Sequence, residues 1–168
     1  MIPLLAMQFD SSGEVNWSVF DFMFMGLLLS ACQLAYVLMS SRFKSLAYKS
    51  ALAMAILVIF LLVWVNAAVG IIGNENNPAN LMYLGVILLG IAGAWVSRLQ
   101  AKGMALTLLF CCLAMVLVGI LTWYLSSGVQ RSDLLRDILF LSGFFCALML
   151  VAAGLFLAAA QQGSLRDS

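Results

Sequence analysis

The stretch from Trp64 to Tyr83 reads WVNAAVGIIGNENNPANLMY and decides how the chain folds. One apolar run enters a short, asparagine-rich loop, and a second apolar run leaves it. Gly70 and Gly73 suit the end of a helix, because glycine readily takes the left-handed conformation that stops one. Pro78 suits the first position of the next helix, with Asn77 before it as the cap. The stretch therefore predicts two helices joined by a tight connection.

The composition on either side of this stretch is typical of a membrane protein. The 168 residues are 65% hydrophobic and 9% charged, with a mean hydropathy of +1.11. Soluble domains carry about a quarter charged residues. A net charge of +1 offers no basic surface to nucleic acid. We therefore expect a protein whose main partner is the lipid bilayer, and no nucleic-acid partner.

Five apolar runs are long enough to cross a hydrocarbon core, which takes about 20 residues of helix. The alternation typical of membrane β-barrels is absent from the sequence, which leaves helices as the spanning structure. We expect an all-α fold, with residues 1–168 forming a single transmembrane domain of five helices. The predicted helices are approximately 17–40, 49–72, 78–97, 104–125 and 138–160.

The positive charges predict the orientation of the bundle, because lysine and arginine concentrate in cytoplasmic loops. With the N-terminus outside and the C-terminus inside, two positive charges fall on the outer side, Arg131 and Arg136. The remaining positive charges then fall on the inner side: Arg42, Lys44, Lys49, Arg98, Lys102 and Arg166. The distribution favours N-out and C-in.

Glycines indicate which helix lies at the centre of the bundle. Small residues let membrane helices approach closely, and the third helix carries Gly85, Gly90 and Gly93. We therefore expect the third helix at the centre.

The absence of histidine excludes several classes of chemistry. Histidine-ligated haem, zinc held by imidazole and Ser-His or Cys-His nucleophiles all need that side chain. The cysteines lie inside apolar runs, where a thiol behaves as a small hydrophobic group: Cys32, Cys111, Cys112 and Cys146. We expect no enzymatic activity, no catalytic residue, no cofactor and no metal.

Each helix places a hydrogen-bonding group at a similar depth, about 6–10 Å from its outer end at 1.5 Å per residue. These groups form a predicted outer polar layer: Asp21, Asn66, Tyr83, Thr122 and Ser142. Polar groups at this depth are expected to face the bundle. One interpretation is hydrogen bonding that holds helices together. The other is a small polar pocket open to the outside, with Arg131 or Arg136 neutralising Asp21.

The loop also has two interpretations. Its asparagines supply turn and capping oxygens, or Glu75 and the amide carbonyls bind a hard cation or a polar ligand. One carboxylate is few for calcium, which usually takes several. The candidate polar-layer or ligand-binding residues are Asp21, Asn66, Glu75, Asn77, Asn80 and Tyr83.

The chain resembles an uncharacterised family of small bacterial integral membrane proteins with the motif WVNxAVGIIGxExNPANLMY. The resemblance rests on Trp17, Asp21-Phe22, Gly26 and Tyr36, on the stretch from Trp64 to Tyr83 with Gly85, and on Gly143-Phe144-Phe145. It implies a multi-pass protein of the bacterial cell inner membrane, and it implies no activity. Members often read Ser-Glu-Asp-Asn-Pro where this chain has Asn74 to Pro78, and the missing acid weakens a cation site.

Two functions remain open from the sequence. The first is a small non-enzymatic membrane protein, either an accessory protein that interacts with a larger complex or with itself, or a binder of a small polar ligand at its outer face. The second is a small transporter or ion-conducting homo-oligomer. Ion pathways usually keep polar or ionisable groups along their length, whereas the inner half offers Ser30, Gln33 and Thr107. A conducting path would have to form between protomers.

Overall fold

The computed structural model describes residues 18–68, 81–125 and 131–166, which form helices, with short connections described at 41–45 and 97–100. Within these ranges there is no strand. The described helices are α1 (Val19–Ser40), α2 (Leu46–Ala68), α3 (Leu81–Val96), α4 (Ala101–Leu125) and α5 (Arg131–Arg166).

Four of the described helices are long and apolar enough to cross a membrane, namely α1, α2, α4 and α5. The predicted all-helical, membrane-type fold is therefore confirmed. In the described part of the chain α3 has 16 residues, about 24 Å of helix, and the predicted start of this helix at 78–80 lies outside the described residues. A fifth crossing and the N-out orientation stay predictions.

Several helix ends differ from the predicted ones because apolar residues mark the hydrocarbon core, whereas a helix ends where its hydrogen bonds end. Helix α2 begins before Lys49, at Leu46, since the Ser45 hydroxyl accepts the Tyr48 amide at 3.4 Å as a cap. Helix α4 begins at Ala101 instead of Met104. Helix α5 runs for 36 residues, beyond the predicted 138–160 at both ends.

The core lies where α5 packs along α4 and α2. Helix α3 packs mainly on α4, and α1 packs chiefly on α2. The largest fully buried side chains come from α2, α3, α4 and α5: Leu52, Val58, Leu62, Tyr83, Met115, Thr122, Phe145 and Phe156. Helix α1 contributes Ser40 as its buried residue.

The prediction that the third helix is central is wrong, because α5 occupies that position and α3 lies to one side against α4. The glycines explain the error. A Cβ on Gly93 would overlap the Thr107 side chain, so this glycine does permit close packing on α4. A Cβ on Gly85 would meet nothing within 4 Å. Glycine content therefore marks one close contact and does not make α3 the centre.

An aromatic cluster connects several helices at one end of the bundle. The Tyr48 hydroxyl donates a hydrogen bond to the Leu99 carbonyl in the α3–α4 turn. The Tyr48 ring stacks on Phe43 with centroids 3.8 Å apart and meets Phe156 edge-on at 5.2 Å. Arg98 and Leu99 have φ of 49° and 60°, a region unfavourable for side chains other than glycine. Tyr48 thus stabilises a strained turn.

Candidate functional site

Asp21 caps a helix and does not face the bundle. Its carboxylate Oδ2 accepts the Ser18 amide at 2.7 Å and the Ser18 hydroxyl at 2.8 Å. The Asp21 amide donates to the Ser18 hydroxyl oxygen at 3.2 Å, which completes a capping box. The expected inward orientation is therefore wrong, because α1 begins at Val19 and Asp21 lies in its exposed first turn. A carboxylate there is also favoured by the helix dipole.

The other predicted site residues differ in their position and burial. Glu75, Asn77 and Asn80 lie outside the described residues, so a ligand site in the loop stays a prediction. Asn66 is half-buried near the end of α2. Tyr83 lies at the start of α3 with no part of its side chain exposed.

Three hydroxyl groups are buried on three neighbouring helices. Tyr83, Thr122 and Ser142 lie on α3, α4 and α5 and are 0%, 2% and 8% exposed. None of the three hydroxyl oxygens has a hydrogen-bond partner among the described residues. We call these three residues the hydroxyl cluster. It is the part of the predicted polar layer that the fold buries.

The members of the hydroxyl cluster lie on facing surfaces. The Ser142 hydroxyl lies close enough to the Tyr83 hydroxyl to interact with it electrostatically, although the two hydroxyl groups do not meet hydrogen-bond geometry. The Ser142 hydroxyl would be 3.7 Å from a Cβ placed on Gly119 of α4. Thr122 follows Gly119 by three residues, so both lie on the same face of α4. The same Cβ would lie 3.0 Å from the Ile138 Cγ2, so Gly119 permits close packing of Ile138 on α4.

Several other described hydroxyl groups are satisfied within their own helices. Ser30 donates to the Gly26 carbonyl at 2.7 Å, and Thr107 donates to the Gly103 carbonyl at 3.0 Å. A buried polar group without a partner costs about 1–3 kcal/mol. The hydroxyl cluster thus stands apart from the other hydroxyls: it offers neutral donors and acceptors at a helix junction without using them inside the described fold.

A large apolar groove lies between α1 and α3, on the side of α2. Its volume is about 470 Å³, and it is lined mainly by α1, α2, α3 and α4. No lysine, arginine, aspartate or glutamate is among the described residues that line it. Small side chains lie on three of its walls: Ala31, Ala35, Ala55, Gly90 and Ala94. We call this feature the α1–α3 groove. The sequence did not predict it, since hydropathy does not tell which apolar faces stay apart.

The cysteines take part in contacts between helices. The Cys112 thiol lies 3.7 Å from the Cys146 carbonyl, and the Cys146 thiol lies 3.8 Å from the Cys112 carbonyl, which pairs α4 with α5. The Cys111 thiol faces α3, at 3.8 Å from the Val86 carbonyl. All cysteines are free thiols. In the described part of the chain no three His, Cys, Asp or Glu side chains come together as a metal site.

No family model, no curated protein and no solved structure matches this chain.

Proposed function

We propose that the chain is a non-enzymatic, multi-pass protein of the bacterial cell inner membrane that acts as an accessory subunit. Its α1–α3 groove would receive one transmembrane helix of a larger partner protein. The observation that carries the proposal is the combination of this groove with α1, in whose most apolar stretch of 18 residues none is buried. A spanning helix that packs on a single neighbour leaves most of its surface for another contact.

The lining of the α1–α3 groove favours a helix as its occupant. Small residues let two helix backbones approach closely in lipid, and helix association in membranes depends on such packing. Ala31 and Ala35 lie on α1, and Gly90 and Ala94 lie on α3, so both of these helices present small side chains to the groove. A flexible acyl chain gains little from small lining side chains, whereas a helix about 10 Å wide needs them in order to approach closely.

The location rests on two sequence arguments. The surplus of lysine and arginine on one side supports an N-out, C-in orientation. The resemblance to small bacterial membrane proteins supports the inner membrane. Four apolar helices of sufficient length support a multi-pass membrane protein, and the N-out, C-in orientation additionally requires α3 to cross the membrane.

The transporter or ion-conducting homo-oligomer receives less support. The described lining of the α1–α3 groove is apolar apart from Thr107, whose hydroxyl is bonded to its own helix. Asp21 is held by Ser18 at the exposed start of α1. Purified protein in proteoliposomes is expected to pass no more solute or ion than empty vesicles, and flux abolished by Asp21→Asn would instead establish the transporter.

Photo-crosslinking in native membranes tests the accessory function. A diazirine analogue of leucine or methionine is placed at Leu28 or Ile91, which line the groove, and at Leu117, an exposed position on α4 outside it. We expect one adduct of defined mass with another protein from the two groove positions and not from Leu117. Adducts with lipid alone, or adducts of twice the chain's mass, would contradict the proposal.

A further inference from the structure

Basic residues from two separate connections lie at one end of the helix bundle. The α1–α2 connection spans residues 41–45, and the α3–α4 connection spans residues 97–100. The Tyr48 hydroxyl of α2 donates a hydrogen bond to the Leu99 carbonyl, which places the first turn of α2 against the α3–α4 connection. Five basic residues lie in these connections or in the first turn of the helix that follows, and we call them the basic patch: Arg42, Lys44, Lys49, Arg98 and Lys102. Four of the five are exposed, and Lys49 is half-buried.

No acidic residue of the described helices lies at this end of the bundle. The acidic residues of these helices are Asp21, Asp133 and Asp137. Asp21 lies in the first turn of α1, whereas the basic patch follows the end of that helix. The other two lie at the start of α5, which is antiparallel to α4, since Ile138 near its start lies against Gly119 near the end of α4. The described helices therefore leave the basic patch without a negative partner, and it attracts anions.

Exposed apolar side chains border the basic patch. Trp95 and Val96 end α3 just before Arg98, and they are 85% and 81% exposed. Leu46 begins α2 between Lys44 and Lys49 and is 81% exposed. Tryptophan prefers the depth at which lipid headgroups meet acyl chains. Cations beside an exposed apolar surface match a molecule that joins a phosphate to hydrocarbon chains.

We propose that the basic patch binds an anionic phospholipid of the surrounding bilayer, with its phosphate between the α1–α2 and α3–α4 connections and its acyl chains beside Val96. Each lysine or arginine near a membrane surface strengthens the attraction to anionic lipid about fivefold. The hydrogen bond from Tyr48 to Leu99 holds the two connections together, so that cations from both act on one headgroup. None of the five cations lines the α1–α3 groove, and the lipid site does not depend on the accessory function.

Two tryptophans report on lipid at the two ends of the bundle. Trp95 lies beside the basic patch, whereas Trp123 lies near the other end of α4. Two full-length proteins each keep one of these indoles, with phenylalanine at the other tryptophan positions. Each protein is reconstituted in phosphatidylcholine vesicles that contain a rising fraction of brominated phosphatidylglycerol or of brominated phosphatidylcholine with the same acyl chains. Bromine quenches indole fluorescence at short range.

We expect half-maximal quenching of Trp95 at about a fivefold lower fraction of brominated phosphatidylglycerol than of brominated phosphatidylcholine. At Trp123 the two lipids are expected to quench at the same fraction. Equal quenching by the two lipids at Trp95, or the same preference at both tryptophans, would overturn the proposal, because the lipid would then not be held at the basic patch.

A matched pair of charge variants in the protein that keeps Trp95 tests the cations themselves. Lys44→Gln/Lys102→Gln removes one exposed cation from each side of the proposed headgroup site. Arg131→Gln/Arg136→Gln removes the same charge at the start of α5, at the other end of the bundle. We expect the first variant to lose most of the preference for phosphatidylglycerol while its quenching by phosphatidylcholine stays unchanged, and the second to keep the preference. A preference that survives in the first variant, or falls equally in both, would overturn the proposal.

A soluble phosphate ester distinguishes a lipid headgroup from free phosphate. Glycerol 3-phosphate carries the phosphate and glycerol of the lipid without its acyl chains, and sodium chloride at the same ionic strength is the control. We expect both solutes to weaken quenching of Trp95 by brominated phosphatidylglycerol to the same extent, by screening. Displacement of the lipid by glycerol 3-phosphate beyond the effect of sodium chloride would assign the basic patch to a soluble phosphate ester and overturn its assignment to a phospholipid.

Discussion

At the scale of single residues, hydrogen bonding decides what each polar group does in this membrane protein. Asp21 and Ser18 satisfy each other at the start of α1, whereas Tyr83, Thr122 and Ser142 are buried without described partners. Depth along a helix, which the sequence provides, does not separate these two situations. The separation comes from the helix start and from the side that each residue presents to its neighbours.

The capping box predicts a local effect of Ser18→Ala. Loss of a helix cap costs about 0.5–2 kcal/mol, so the first turn of α1 should exchange its amide hydrogens faster. Hydrogen–deuterium exchange with mass spectrometry measures this. Ser50→Ala is the control, because the exposed Ser50 hydroxyl bonds to the Ala47 carbonyl inside α2. Unchanged exchange in the first turn of α1 would contradict the cap.

Tyr48→Phe tests the aromatic cluster. The variant keeps the ring contacts with Phe43 and Phe156 and loses the hydrogen bond to the Leu99 carbonyl. We expect a loss of about 1 kcal/mol, measured as a lower midpoint of thermal unfolding in detergent. Tyr124→Phe, at a residue that is 76% exposed, should not change the midpoint. Equal midpoints for both variants would show that the bond does not stabilise the turn.

At the scale of elements, the sequence predicts well where the helices lie along the chain, but it predicts poorly which helices pack against each other. Long apolar runs fix the existence of a membrane helix, and every predicted helix has a described counterpart. Helices that are apolar on all sides carry no stripe that tells which side is buried. For this reason the sequence misplaced α3 and missed the α1–α3 groove. It did find the depth of the hydroxyl cluster, because polar residues are rare enough in these helices to stand out.

Gly93 tests the contact of α3 with α4. In Gly93→Ala the new methyl group overlaps Thr107, and overpacking of this kind costs about 1–3 kcal/mol. Gly85→Ala, on the same helix with nothing within 4 Å, should be neutral. Thermal unfolding in detergent distinguishes the two. Stability should be partly restored by adding Thr107→Ala to Gly93→Ala, and a lack of restoration would contradict this contact.

The register of α4 against α5 predicts a selective crosslink. Each thiol of the Cys112–Cys146 pair lies beside the other residue's carbonyl, whereas Cys111 faces α3. A short bifunctional thiol reagent such as dibromobimane should bridge Cys112 to Cys146 in a variant that keeps only this pair. A variant that keeps only Cys111 and Cys146 should give much less fluorescent product. Equal products would mean that α4 and α5 are rotated relative to this register.

At the scale of the whole molecule, the described helices form a packed unit of α2, α4 and α5, with α3 against α4 and α1 against α2. This arrangement leaves the α1–α3 groove open and places α1 where a partner can contact it. From this arrangement we propose that the protein holds another membrane protein, which is the central claim of the proposed function.

The most direct test is native mass spectrometry of the tagged protein after mild-detergent extraction from its own membranes. We predict a stoichiometric complex with one larger membrane protein. The complex should be lost in Ala31→Trp, which fills the groove from an exposed position, and kept in Ala158→Trp, an exposed position on α5 that is not among the groove's described lining residues. A monomer or homo-oligomer in all three proteins, or a complex that survives Ala31→Trp, would contradict the claim.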